Sequence, residues 1–216
     1  MNPVVGEILP MAVGVAISPM PIIAVILMLL GGSARTKGLG FAVGWLGGLI
    51  GATAVFIALG DAVDQTDEPG TAAGWIKIVL GIGLLLAGIK QFRADSKGTP
   101  AWLTAIEEMT WLKATALGVV LAAVNPKNLM LCAAAGVAIG SAGLATGPLV
   151  GAAGVFVVLA SASVLAPVLA YLVAADALRR PLNAIKEWLD ANNQAVMAVL
   201  FVVLGVVLIG KGLGGL

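Results

Sequence analysis

Lys127 is the one strongly basic residue set deep inside an apolar run of this sequence, flanked by Asn125, Pro126 and Asn128. A second polar break, Ser18-Pro19-Met20-Pro21, interrupts another apolar run near its centre. Proline removes a backbone donor and clashes with the preceding turn, so each stretch is expected to break a helix. In hydrocarbon, a broken backbone and an ammonium both need partners. Lys127 lies about 14 residues from Lys113, roughly 21 Å along a helix, so its stem cannot snorkel to the membrane surface. Two roles stay open for it. One is a structural cation bonded to carbonyls freed around Pro126; the other is a cation that meets an anionic group of a substrate. Half-helices that start at the breaks point positive dipole ends and amides to the same place. Ser18, Asn125 and Asn128 add neutral hydrogen-bonding groups, and such a site favours phosphate, sulfate or carboxylate.

Other chemistries lack their residues. The chain has no His and a single Cys132, which removes imidazole relays, His-ligated metals and dithiol chemistry. No Asp or Glu lies near the middle of an apolar run; Glu7, Asp61 and Asp176 sit near the ends and read as solvated groups. Divalent-cation transport, which wants carboxylate or imidazole ligands, is therefore disfavoured, and proton coupling has no evident carboxylate carrier. There is no Ser/His pair, no paired carboxylates and no nucleotide-binding loop. No catalytic residue, metal or cofactor is expected, and the protein does not read as an enzyme. A net charge of +1 gives no reason to expect a nucleic-acid partner.

The elements that must position Lys127 are membrane helices. With 60% hydrophobic and only 11% charged residues and a mean hydropathy of +1.08, the chain carries more apolar surface than a soluble domain can hide. The expected fold is an all-α polytopic membrane protein with six transmembrane helices. They run over about Val4–Leu30, Leu39–Leu59, Ala72–Ile89, Leu112–Gly140, Pro148–Ala174 and Ala195–Ile209, with helices 1 and 4 broken at the midplane and a kink expected at Pro167. The N-terminus reads as the first span rather than a signal peptide, because it carries Glu7 instead of a basic region. Gly40, Gly44 and Gly48 in the second span recur every fourth residue and allow close helix approach. A short amphipathic helix is expected at about Pro100–Thr110, capped by Thr99, and a second at Asp176–Asp190. Trp102, Trp111 and Trp188 read as interfacial anchors of these segments, whose basic residues attract anionic membrane lipids.

Lys and Arg set the orientation. Arg35, Lys37, Lys90, Arg93, Lys97, Lys113, Arg179, Arg180 and Lys186 fall on one side, against Lys77 and Lys211 on the other. The positive-inside rule places both termini outside.

A shift of 107 residues aligns Ser18-Pro19 with Asn125-Pro126, and also Gly40, Gly44 and Gly47 with Gly147, Gly151 and Gly154. At a different offset, Val79-Leu80-Gly81 matches Val203-Leu204-Gly205. One domain over 1–216 is thus expected as an inverted 3+3 repeat: repeat 1 at about 1–93, an amphipathic linker at about 94–111, and repeat 2 at about 112–216. Inverted halves lend themselves to alternating access.

Ser18-Pro19-Met20-Pro21-Ile22 and Asn125-Pro126-Lys127-Asn128-Leu129 together resemble the GAP family, sulfolipid- or peptidoglycolipid-addressing proteins of the LysE transporter superfamily. The resemblance covers nearly the whole chain. It implies six spans as a three-plus-three repeat in the plasma membrane and a part in moving glycolipids to the cell surface. Ser18, Pro19, Pro21, Asn125, Pro126, Lys127 and Asn128 match its motifs and are the candidate substrate-binding residues. The expected function is a secondary-type transporter that exports a lipid, glycolipid or other anionic amphiphile. An amino-acid exporter of the LysE type, whose substrate carboxylate meets Lys127, is the first alternative. A non-transporting accessory subunit of an envelope-lipid export machine is the second. Gly-rich span faces are compatible with a homodimer.

Overall fold

Proline and the residue before it decide where the first helix stops and the second begins. The computed structural model describes residues 2–64, 69–93 and 105–214. Helix α1 (Asn2–Ala16) ends just before Ser18, and α2 (Pro19–Leu30) starts on Pro19. The two meet at a bend of 50°. Helices α3 (Ala34–Asp64) and α4 (Pro69–Arg93) follow. A 3-10 turn at Ala105–Glu108 leads to α5 (Trp111–Val119), whose N-terminus is capped by Thr110 Oγ1 accepting from the Lys113 N–H. A π-helical turn, Val120–Val124, continues α5 to the second break, and α6 (Pro126–Gly140) leaves it at 61°. The last helix, α7, spans Thr146–Leu213 with one non-helical residue, Ala174.

Two of these helices, and the two bent pairs taken as single units, are membrane-spanning in length and composition. Ala34–Ala62 and Thr146–Leu213 are each long and apolar enough to cross a bilayer, and each bent pair passes as one span. At 1.5 Å per residue the 68 residues of α7 would run roughly 100 Å, more than three times a hydrocarbon core of about 30 Å. The break at Ala174 divides it into two stretches, each longer than one crossing. Exposed Val43, Ile50, Leu86, Val158, Leu169 and Val206 are the outward apolar surface such helices present to lipid. The chain is a membrane protein.

Several expectations from sequence meet their outcome here. The one non-helical residue of α7 is Ala174 (φ −141°, ψ 56°), where the fifth span was expected to end, and the helix continues through Pro167, the expected kink. Asp176–Asp190 is not a separate helix. It runs without interruption into the last part of α7, with Leu182 and Leu189 buried, Trp188 exposed and Lys186 paired with Asp190 at 2.9 Å. Of the linker helix expected at Pro100–Thr110, the described part is the 3-10 turn. Thr99, Trp102 and the segments 94–104 and 65–68 lie outside the described residues.

Small residues set the closest helix approaches. A Cβ at Gly48 would sit 3.1 Å from the Val119 backbone, and one at Gly40 2.8 Å from the Trp111 carbonyl. At Gly44 it would run into the Thr115 backbone, so the expected four-residue stripe does seat α3 on α5. A second seam joins α4 to the end of α7 through Gly81 and Gly205. A Cβ at Gly81 would lie 2.8 Å from the Gly205 carbonyl, and one at Gly205 2.9 Å from the Gly81 carbonyl. The relation is reciprocal. The other glycines matched by the shift behave differently: Gly47, Gly147 and Gly154 all face open space.

Replacing Gly44 by Ala should therefore destabilise the protein by about 3 kcal/mol, because backbone rather than a flexible side chain stands in the way. Gly47→Ala should be neutral or slightly stabilising. The buried thiol of Cys132 reports the difference when a thiol-reactive dye follows thermal unfolding in detergent.

Candidate functional site

Both breaks solve the same backbone problem in opposite ways. A residue before proline is pushed out of the helical region, and Ser18 (φ −77°, ψ 112°) and Asn125 (φ −58°, ψ 119°) are both extended. At the first break the chain tightens: the Ser18 N–H donates to the Val15 carbonyl at 3.1 Å, three residues back. At the second it loosens: the Asn125 N–H donates to the Val120 carbonyl at 3.0 Å, five residues back. Each passes over the carbonyl four residues back, which is Gly14 in the first break and Leu121 in the second. Those two carbonyls lose the donor a regular helix would supply, and in an apolar interior that costs free energy.

Two side chains of α6 supply the missing donors. Lys127 Nζ donates to the Gly14 carbonyl at 2.7 Å, and Asn128 Nδ2 donates to the Leu121 carbonyl at 2.9 Å. Ser18 Oγ then donates to Asn128 Oδ1 at 2.8 Å, so the breaks are joined side chain to side chain. All three residues are buried, with Ser18 and Lys127 3% exposed and Asn128 0%. Pro19 and Pro21 are buried beside them, Asn125 is half-buried and Pro126 is exposed. Of the seven candidates, Ser18, Lys127 and Asn128 thus form one hydrogen-bonded clasp. Asn125 acts locally, its Oδ1 accepting from the Lys127 N–H at 3.1 Å as the cap of α6.

The helix N-termini offer fewer amides than the breaks alone suggest. Pro19, Pro21 and Pro126 have no N–H. The Lys127 N–H is taken by its cap, Ile22 N–H by the Ser18 carbonyl and Leu129 N–H by the Asn125 carbonyl. The anion-binding potential of this site rests on the ammonium. Among the described residues no carboxylate pairs with it, and its partner is the neutral C-terminal end of α1, where a cation also meets the negative end of the helix dipole. Among the same residues no group of three or more His, Cys, Asp or Glu is placed to hold a metal.

Sequence reading missed Gly14 and Leu121, since their contribution is a backbone oxygen. The available signal was positional: each lies four residues before the residue that precedes a helix-breaking proline. Reading Glu7 as solvated also needs correction, because its carboxylate pairs with Lys77 at 2.8 Å. Lys37, which falls between the first two expected spans, lies in the first turns of α3 and is buried.

A family model described as Sap, sulfolipid-1-addressing protein, matches residues 8–214, which include both breaks and every residue of the clasp. The chain belongs to this family. The match agrees with the resemblance carried by the two proline motifs, and it extends from α1 through the end of α7. No curated protein and no solved structure matches the chain.

Removing Asn128 should cost more than removing Ser18. Asn128→Leu strands the Leu121 carbonyl and the Ser18 hydroxyl together and should lower stability by about 2–3 kcal/mol, against about 1 kcal/mol for Ser18→Ala. In a Ser18→Ala, Asn128→Ala cycle the coupling should come out near 1 kcal/mol by thermal or denaturant unfolding. Additive losses would mean that the hydroxyl and the amide do not act together.

Proposed function

We propose that this sulfolipid-addressing family member is a transporter that moves a lipid, glycolipid or other anionic amphiphile outward across the plasma membrane, with the clasp between the two breaks as its substrate site. The observation that carries this reading is the state of Lys127. A buried ammonium in hydrocarbon is expensive, and here its partner is one neutral carbonyl. A sulfate, phosphate or carboxylate oxygen is a stronger partner than an amide oxygen, since both members of the bond are then charged. An anionic headgroup that reaches the clasp can take Lys127 from Gly14, and Ser18 and Asn128 are positioned to bond the same headgroup. The family description, which names sulfolipid-1, favours a lipid carrying such a group.

Opening the clasp would free α1 from α6 and let the halves move. We read the architecture as six crossings in a three-plus-three inverted repeat with both termini outside: the bent pair α1–α2, then α3 and α4, then the bent pair α5–α6, and the two stretches of α7 on either side of Ala174. Three features support this. Ser18-Pro19 and Asn125-Pro126 share their backbone geometry. Gly14 and Leu121, which lose their backbone donors, are related by the same 107-residue shift. Gly81 and Gly205, which the sequence aligns, meet each other reciprocally, as equivalent residues do at a two-fold axis. Alternating access by exchange between the halves follows from such a repeat. The protein acts here as a carrier, with no chemical change to the substrate.

The test compares surface-exposed with total envelope lipids in a deletion strain complemented by wild type, Lys127→Ala or Lys127→Arg. One anionic lipid class should be absent from the surface yet present in the total extract of the deletion strain. Wild type should restore it, Lys127→Ala should restore less than about a tenth of it, and Lys127→Arg should restore part. Full rescue by Lys127→Ala would reduce the lysine to a structural role. An unchanged surface with an accumulated amino acid would instead assign the site to amino-acid export.

A further inference from the structure

A second cluster of charge also holds α1, closer to its N-terminus. Glu7 Oε1 pairs with Lys77 of α4 at 2.8 Å, and Lys211, in the last turn of α7, donates to the Glu7 backbone carbonyl at 2.9 Å. Glu7 and Gly14 are two turns apart on the same helix, about 10 Å along its axis. All three lysines, Lys77, Lys127 and Lys211, thus bond to oxygens of α1.

The charges in this cluster do not balance. Two ammoniums converge on one residue that carries one carboxylate. Lys211 hydrogen-bonds a neutral carbonyl and feels the Glu7 carboxylate only at longer range, so that one carboxylate serves both ammoniums, and among the described residues no carboxylate lies within ion-pair distance of Lys211. A structural ion pair needs only one of these lysines, and the other is supplied by the far end of the chain. The pair is within reach of ligands, with the Lys77 and Glu7 side chains 13% and 25% exposed. Trp75, two residues from Lys77 on α4, is 55% exposed, and tryptophan concentrates where membrane headgroups lie. An excess cation beside a carboxylate, partly exposed and two turns from the clasp, is the arrangement expected of a site that receives an oxyanion and then lets it go.

We propose that Glu7, Lys77 and Lys211 form a second anion site on the export path, where the sulfate, phosphate or carboxylate of the amphiphile leaving Lys127 displaces the Glu7 carboxylate. The proposal rests on the export reading above. Lys77 exchanges one anionic oxygen for another, and Lys211 exchanges a neutral acceptor for an anionic one. Glu7 is the resident competitor: it holds the lysines when the site is empty and weakens headgroup binding enough for release. The same chemistry would also accept a free oxyanion.

Retention of radiolabelled sulfatide by the purified full chain in detergent tests this, with sodium sulfate and neutral galactosylceramide as competitors. Glu7→Gln, which removes the competing charge, should tighten sulfatide binding about tenfold, and Glu7→Gln with Lys77→Gln should abolish that gain. Lys211→Gln, which leaves the ion pair intact, should weaken binding several-fold on its own and guards against a folding defect in the Glu7 variants. Unchanged binding in Glu7→Gln, or a gain that persists without Lys77, overturns the proposal. Displacement by sulfate but not by galactosylceramide assigns recognition to the oxyanion itself; displacement by galactosylceramide alone assigns it to the rest of the lipid and also overturns the proposal. The same titration in a Lys127→Ala background separates the two sites. If the Glu7→Gln gain survives there while Lys127→Ala delivers lipid normally in cells, the central clasp fails and this site stands. If the gain is absent while Lys127→Ala blocks delivery, only this site falls.

Discussion

A backbone carbonyl in hydrocarbon has no water to turn to, so any helix that breaks inside a membrane must find donors for the oxygens it frees. Much of the centre of this protein follows from that constraint. Proline forces Ser18 and Asn125 into extended backbone, and the N–H of each turns to a neighbouring carbonyl, leaving Gly14 and Leu121 behind. The donors come from two consecutive residues at the start of α6. Lys127 reaches across to the first break, and Asn128 reaches back over its own. Ser18 closes the circuit through the Asn128 carbonyl oxygen. Three side chains thereby satisfy two defects and fix the distance between the breaks.

The same economy makes the clasp convertible. The Ser18–Asn128 and Asn128–Leu121 bonds join neutral groups, and a network of that kind is rigid while complete. The Lys127 bond is unequal, since a full charge meets a neutral oxygen. A ligand that offers Lys127 a charged oxygen gains more than the protein loses, whereas a neutral ligand gains nothing over Gly14. In the proposed function, selectivity for anions would therefore reside in the exchange of partner more than in the number of donors at the site. The tight glycine seams, Gly44 on Thr115 and Gly81 on Gly205, hold their helix pairs at close spacing.

How much of this was legible in the sequence depends on what kind of atom does the work. The two breaks were legible because proline has a fixed local consequence, and the close approach at Gly40, Gly44 and Gly48 because small residues four apart share a helix face. Lys127 could be singled out by depth alone. Its partner could not, because Gly14 contributes a main-chain oxygen and lies on another helix. The pair formed by Glu7 and Lys77 was hidden for a similar reason: two charges near span ends read as solvated until the fold brings those ends together. Repeat matching aligned the proline motifs, and also Gly81 with Gly205, which the structure brings together, yet Gly47, Gly147 and Gly154 matched without packing on anything. A shift in register says nothing about which way a helix is rotated. The continuity of α7 through Asp176–Asp190 was missed because a charged amphipathic segment has the same residue pattern whether it continues a neighbouring helix or stands alone, and Ala174 carries no breaker signal of its own.

The central claim is that the clasp must open for substrate to pass. Ser18 and Asn128 touch through their side chains, so cysteines at both positions, in a Cys132→Ser background, can be joined by oxidation. Transport of labelled sulfatide should then be measured in phosphatidylcholine vesicles before oxidation, after it, and after reduction. The account predicts that cross-linking stops transport at least tenfold and that reduction restores it, with each single cysteine indifferent to oxidant. Full transport by the cross-linked protein would contradict it, because the two breaks would then stay joined while substrate crosses.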